Sequence, residues 1–158
     1  VGEVSVKGAQ SNVEAAPTGT YDVKIDYTVT FTNTTDADGY SSKIVLHPQV
    51  PAGFTLKNVT GTGTPWWIHE DDYAIQPDGS VPLPTEDTLY ANSSTTMTFT
   101  NTYTVNADAI TEDGWKALGT CNPKDPSQGL TTRIDVAGSD GIEPGTYSTC
   151  TTVTRTKN

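Results

Sequence analysis

Two long stretches of alternating residues constrain this 158-residue chain more than any other feature. From Tyr21 to Phe31, every second residue is apolar and the residues between are polar, and a similar pattern returns from Ser93 to Val105. Successive side chains of a strand point to opposite faces, so a period of two predicts strands with one face on a core and the other in water. Asn101 is the polar exception among the inward-facing residues of the second stretch.

The composition favours extended structure throughout the chain. Threonine is the most frequent residue, and its β-branched side chain suits both a strand and the solvent face of a sheet. Only 34% of the residues are hydrophobic, which is typical of the thin core between two facing sheets. We therefore predict an all-β, antiparallel β-sandwich that forms one domain over residues 1–158.

The sequence also predicts shorter strands, two long loops and one helix. Further strands are expected where alternating residues lie between turn residues, at 3–7, 42–47, 54–60, 130–136 and 147–156. Two long loop insertions, at about 61–92 and 106–128, interrupt the strands, and a short strand is expected at 72–75 within the first. At most one short helix is expected, within 107–118 and capped by Thr111.

The charge of the chain argues against some classes of partner. With 19 acidic and 9 basic residues, the net charge of −10 repels phosphate backbones and anionic lipids, so nucleic acid is not an expected partner. No apolar run approaches the roughly 18 residues that cross a bilayer, so membrane insertion is not expected either. The acids are scattered along the sequence, as on a solubilising surface.

The two cysteines, Cys121 and Cys150, suggest a disulfide bond. An even pair in an acidic, threonine-rich β protein indicates an oxidising compartment, hence an extracellular location. Closing a loop of about 29 residues would stabilise the fold by about 3–4 kcal/mol through chain entropy. The alternative is two unpaired buried thiols.

The stretch from Tyr21 to Phe54 resembles the conserved-repeat β-sandwich modules of bacterial, especially Gram-positive, surface proteins. The resemblance depends on a Lys-bearing first strand at 4–7, on Tyr-Thr-Val-Thr-Phe-Thr-Asn at 27–33, and on Pro-Ala-Gly-Phe-Thr at 51–55. The later strand at 94–105 also fits, so the resemblance covers about two thirds of the chain. It does not extend to 61–92, to 106–128 or to the cysteine pair. It implies an immunoglobulin-like module of an adhesin, stalk or pilin-type protein outside the cell.

The expected function is therefore that of a non-catalytic structural or adhesive module in a secreted or cell-wall-anchored protein of a bacterial cell surface. Its expected partners are neighbouring domains of the same protein and a host protein or glycan. An enzyme is not expected, because His47 and His69 are the only imidazoles and no Ser or Cys stands in a recognisable nucleophile elbow.

The alternative function is that of a carbohydrate-binding module. Trp66, Trp67, His69 and Tyr73 are its candidate ligand-binding residues, because aromatic side chains on a loop can stack on sugar faces. Neighbouring residues on a strand would instead point to opposite faces. One tryptophan would then fill an end of the sandwich while the other covers a loop.

No cofactor is required by the sequence, and calcium is the one that it leaves open. Asp36 and Asp38 lie in one predicted loop and Asp71 and Asp72 in another, and carboxylates on loops can hold Ca²⁺. Neither segment forms a complete EF-hand loop, so solvated loop acids are the simpler interpretation.

Some surface modules of related architecture contain an intramolecular isopeptide bond, so the resemblance suggests that this chain be checked for one. Lys7, on the first strand, and Asn101 are the candidate pair, although Lys7 has outward parity relative to Val4 and Val6. The alternative for Asn101 is a hydrogen-bonded side chain at a sheet edge or bulge.

Overall fold

The computed structural model of the chain describes residues 3–8, 12–40, 44–63, 72–83, 88–137 and 145–157. The strands found there are, in chain order, β1 (Glu3–Gly8), β2 (Asn12–Ala15), β3 (Thr20–Asn33), β4 (Gly39–Tyr40), β5 (Ile44–Pro48), β6 (Phe54–Gly63), β7 (Val81–Pro82), β8 (Thr88–Leu89), β9 (Ser93–Asn106), β10 (Leu130–Val136) and β11 (Gly145–Arg155). A 3-10 turn (Ala107–Ala109) and one α-helix, α1 (Glu112–Leu118), lie between β9 and β10.

The strands form a two-layered, all-β sandwich. One sheet has the order β1-β3-β9-β6, the other has the order β2-β11-β10-β5-β7, and β4 pairs with β8 separately. These are the strand neighbours of the two sheets of an immunoglobulin domain. The pairings are antiparallel except for that of β2 with β11, which is parallel.

The pairing of β3 with β9 forms the centre of the first sheet. It runs without interruption from Thr20 opposite Asn106 to Asn33 opposite Ser93. Tyr27 lies opposite Phe99 in this register, and their ring centroids are 5.6 Å apart. The predicted alternation is confirmed, because the inward-facing residues of both strands are buried between the sheets. Those inward-facing residues are Val23, Ile25, Tyr27, Val29, Met97, Phe99, Asn101, Tyr103 and Val105.

The apolar core consists of two clusters, one towards each end of the sandwich. The first cluster is built around Tyr27 and Phe99 and includes residues of β5, β6 and β10. The second is built around Tyr103 and Phe54 and includes Trp115 of α1. Helix α1 thus closes one end of the sandwich by burying Trp115 and Leu118.

Local turn chemistry explains how the chain enters β6 and α1. Gly53 has φ +88°, and the Phe54 amide donates to the Pro51 carbonyl at 3.0 Å, so a glycine-dependent turn starts β6. A side chain on Gly53 would also collide with Ile110. The N-terminus of α1 is capped as predicted, because the Thr111 hydroxyl accepts a hydrogen bond from the Gly114 amide at 3.0 Å.

Four short strands were not predicted. β2, β4, β7 and β8 contain two to four residues each, which is too short for a period of two to be recognised. The predicted strand at 72–75 is wrong in extent, since only an isolated bridge between Asp72 and Thr60 occurs there. No helix in the described residues could span a bilayer, and α1 has only seven residues.

Candidate functional site

The structure places only one member of the predicted aromatic platform. Trp66, Trp67 and His69 lie outside the described residues. Tyr73 is partly buried, and its ring packs 6.2 Å from the Phe99 ring, centroid to centroid, at the first core cluster. A side chain at Gly61 would collide with the Tyr73 ring, so this ring lies directly on the β6 backbone. The platform itself stays a prediction.

The candidate calcium ligands lie in separate places. Asp36 accepts a hydrogen bond from the Asn92 amide group at 3.2 Å, and Asp38 accepts one from the Ala91 backbone at 2.8 Å. Asp72 instead bridges Thr60 of β6. Thr60 pairs with Thr100, which lies roughly 26 Å along β9 from Asn92. Asp71 is outside the described residues, and within them no three His, Cys, Asp or Glu side chains form a metal-binding group.

Asn101 lies inside the sandwich rather than at a sheet edge, so that part of the expectation was wrong. β9 is flanked by β3 and β6, and the Asn101 side chain is fully buried. Its Oδ1 accepts a hydrogen bond from the Tyr27 hydroxyl at 3.2 Å, and its Nδ2 donates to Thr132 Oγ1 at 2.9 Å. Because Thr132 belongs to β10, this amide connects the two sheets.

The other member of the candidate isopeptide pair, Lys7, is described by its backbone. Lys7 pairs with Thr28 on β3, whereas Asn101 pairs with Ile25 on the same strand. The bond remains a prediction. An intact mass lower by one ammonia than the sequence mass of the disulfide form would support it, and an unshifted mass would exclude it.

The predicted disulfide between Cys121 and Cys150 is present, with the two Cα atoms 6.1 Å apart. Cys150 is a residue of β11, and Cys121 belongs to the loop between α1 and β10. Gly129 lies against both sulfur atoms with φ +72°, and a side chain there would collide with them. The disulfide therefore holds the 119–129 loop against the second sheet.

This loop forms one wall of a cleft, which we call the outer cleft, on the solvent side of the second sheet. Its volume is about 500 Å³. The floor is a row across three strands, because His47 of β5 and Ser148 of β11 both pair with Arg133 of β10. Pro123 and Pro126 of the loop line the apolar wall.

Asp135 organises the floor of the outer cleft. Its Oδ1 accepts from Arg133 Nε at 3.1 Å and from the Thr146 hydroxyl at 3.2 Å. Its Oδ2 accepts from Arg133 Nη2 at 3.2 Å and lies 3.0 Å from His47 Nε2. Partial burial would raise the pKa of Asp135, but the hydrogen bond and charge of Arg133, with Thr146 and His47, lower it overall. This carboxylate fixes the side chains of three strands.

The His47–Asp135 contact by itself does not form a hydrolytic triad. Ser148 is the serine of this floor, but Arg133 lies between it and His47 in the sheet. Two strand spacings separate the backbones of His47 and Ser148 by about 10 Å. Proton transfer from a serine to this imidazole would need a contact of roughly 3 Å.

Sequence reasoning did not find the outer cleft. The sequence marks His47 only as one of two imidazoles, and it places Arg133 and Asp135 within the predicted strand at 130–136. The side chains of His47, Arg133 and Asp135 meet because β5 pairs with β10, and no pattern within either strand predicts that pairing.

Comparisons with known proteins add little to this description. No protein-family model matches the chain. No curated protein matches it either. Among solved structures, an exo-β-N-acetylglucosaminidase of family GH20 from Vibrio harveyi is 15% identical, with a TM-score of 0.34, over 99% of this chain. The chain spans only 19% of the length of that enzyme.

Two further solved structures are similar at the same low level. The RrgB pilus protein of Streptococcus pneumoniae is 13% identical, with a TM-score of 0.41, over 86% of this chain and 22% of its own. AvmM, which catalyses macrocyclization in alchivemycin A biosynthesis, is 8% identical, with a TM-score of 0.42, over 99% of this chain and 90% of its own. At these scores, none of the three indicates a function for the chain.

Proposed function

We propose that the chain is a non-catalytic structural and adhesive module of a secreted or cell-wall-anchored bacterial surface protein, which spaces and presents neighbouring domains. The observation that carries this proposal is the parallel pairing of β2 with β11. Its register runs from Asn12 opposite Thr152 to Ala15 opposite Arg155, and the Thr156 amide extends it by donating to the Ala15 carbonyl at 2.8 Å.

Parallel pairing places the start of β2 and the end of β11 at opposite ends of the same ladder. A force that pulls the chain from both sides would slide these strands along each other. All hydrogen bonds of the ladder then carry the load together, whereas a force applied across a ladder breaks them one at a time. This arrangement suits a spacer under tension.

The disulfide supports the same function in two ways. It is a bond typical of proteins in oxidising compartments outside the cytosol. It also encloses β10, the antiparallel partner of β11, within a covalent loop of sequence separation 29. A pulled chain cannot extend this loop, so part of the module stays compact even after the sandwich opens.

Single-molecule stretching of a tandem array tests the proposal. We expect a distinct unfolding force for each module. Reduction should lengthen each unfolding step by about 100 Å, because about 29 residues at roughly 3.4 Å each become extensible.

Val13→Pro removes a backbone donor from β2 and should lower the unfolding force, whereas Val13→Ala, which keeps the donor, is the matched control. Extension of the oxidised array without a resolved force peak would contradict the proposal, as would equal forces for the two variants.

A further inference from the structure

The outer cleft contains polar groups that the protein itself leaves unused. Among the described residues, Arg133 Nη1, His47 Nδ1 and the Ser148 hydroxyl make no hydrogen bond, while the opposite sides of Arg133 and His47 are fixed by Asp135. Fixed side chains with free donors and acceptors in a concave site are typical of small-ligand sites. The volume of about 500 Å³ is also in their usual range.

The charges of the cleft argue against an ionic ligand. The guanidinium of Arg133 is already paired with the carboxylate of Asp135, so an anion would gain little net attraction. The net charge of −10 on the chain repels anions at longer range. A cation would find no free carboxylate on the floor, because both oxygens of Asp135 are occupied.

The backbone of the floor argues against an added peptide strand. β10 is flanked by β11 and β5, so its ladders are occupied on both sides. Strand addition needs an exposed sheet edge. A ligand of the outer cleft must therefore be recognised by side chains, through hydroxyl-sized donors and acceptors on the floor and apolar contact with Pro123 and Pro126 on the wall.

From this combination we infer that the outer cleft binds a neutral carbohydrate of one or two sugar rings. The hydroxyl groups of a sugar both donate and accept, which matches Arg133, His47 and Ser148. The C–H face of its ring is apolar, which matches the proline wall. This site is distinct from the predicted tryptophan platform, and it does not depend on the mechanical role proposed above.

The test is an NMR titration of the whole oxidised chain with cellobiose, maltose, lactose and N,N′-diacetylchitobiose, with glucuronate as the anionic counterpart. We expect at least one neutral disaccharide to shift the backbone amides of Arg133, Ser148 and Ser127 with a roughly millimolar Kd. Amides on the outer face of the first sheet should not move.

Three variants make the test specific. Arg133→Ala removes charge-assisted donors and should weaken binding by about tenfold or more. Ser148→Phe fills the cleft without removing the Arg133–Asp135 pair and should abolish binding. Lys57→Ala is the matched control, because Lys57 is also paired with an aspartate and its side chain is 56% exposed against 52% for Arg133. It should bind like the original chain.

Three results would overturn the inference. The first is that no neutral disaccharide shifts the cleft amides up to roughly 50 mM, well above the expected Kd. The second is that the sugar shifts the amides of Ser148→Phe as much as those of the original chain, which would mean that the sugar binds outside the outer cleft. This result would decide against the cleft even if Arg133→Ala does not fold. The third is that glucuronate binds tighter than every neutral sugar, which would make the cleft an anion site.

Discussion

The buried amide of Asn101 gives the sharpest test of the fold. Replacing Asn101 by Leu keeps most of its volume but removes both of its hydrogen bonds. The Tyr27 hydroxyl and Thr132 Oγ1 then face each other across an apolar side chain without their partner. Each buried polar group that loses its partner costs about 1–3 kcal/mol, so the two orphaned groups of Asn101→Leu should destabilise the fold by about 2–6 kcal/mol.

The same reasoning predicts that two more substitutions restore most of this loss. In the triple variant Asn101→Leu, Tyr27→Phe and Thr132→Val, all three polar groups are replaced by apolar groups of similar shape. Such a replacement is often nearly neutral, because no buried group is left unpaired. We therefore expect the triple variant to be more stable than Asn101→Leu alone, although it carries more substitutions.

Guanidinium unfolding of the oxidised chain measures this difference. The midpoint should fall in Asn101→Leu and recover in the triple variant, with the slope unchanged. Thr96→Ala is the control, because Thr96 is on the same strand but exposed, and its change should stay within about 0.5 kcal/mol. A loss below about 1 kcal/mol for Asn101→Leu, or a triple variant no more stable than the single one, would refute the reasoning.

Three further predictions concern the loop and the ion pairs. Reduction of the disulfide should lower the free energy of unfolding by about 3–4 kcal/mol, measured as a shift of the guanidinium midpoint against the untreated chain. Gly129→Ala should lower the melting temperature more than Gly79→Ala, because both glycines have positive φ but only Gly129 lies against the sulfur atoms; equal effects would contradict this packing. Hydrogen bonding and charge from Arg155 lower the pKa of Glu112, and the pKa of Asp135 is also lowered. The stabilisation from these two carboxylates is fully present above their unfolded-state pKa values, which are 4.5 for Glu112 and 3.8 for Asp135. It is lost as the pH falls through the lower pKa values of the folded state. The melting temperature should therefore drop in acid, and it should drop less steeply in Asp135→Asn.

The elements that sequence could predict are those whose signal is local. β3 and β9 repeat the inward and outward alternation over many residues, so the period of two is unmistakable. The phrase Pro51-Ala52-Gly53-Phe54 predicts a turn because its glycine takes the positive φ that the turn requires. The cap of α1 is equally local, since Thr111 and Gly114 are three residues apart.

The elements that sequence missed depend on partners far along the chain. β2 is a strand only because β11 lies beside it, and Asn12 illustrates this by accepting hydrogen bonds from Thr152 and Thr154. β7 contains Pro82, and a proline ordinarily argues against a strand. β7 lies at the edge of the second sheet, where a missing backbone donor is tolerated.

Asn101 shows what the alternation of a strand can predict and what it cannot. Its parity predicts an inward-facing side chain, and this is confirmed. The alternative interpretation, a hydrogen-bonded amide at a sheet edge or bulge, is wrong about the edge, because β9 lies between β3 and β6. In the sandwich it reaches Thr132 of the facing sheet instead. No pattern within β9 predicts that the Thr132 hydroxyl of β10 lies opposite Asn101. The hydrogen bond between the two sheets could therefore be found only from the structure.

The two polar centres of the molecule have related structural consequences. Asn101 ties the first sheet to the second through β10, and Asp135 ties β10 to the side chains of β5 and β11. β10 is therefore held from both of its faces, and the disulfide fixes β11 beside it. A floor held in this way loses little conformational freedom when a ligand binds, which favours even a weak, neutral ligand. The contacts that hold β10 in place are thus also those that shape the floor of the outer cleft.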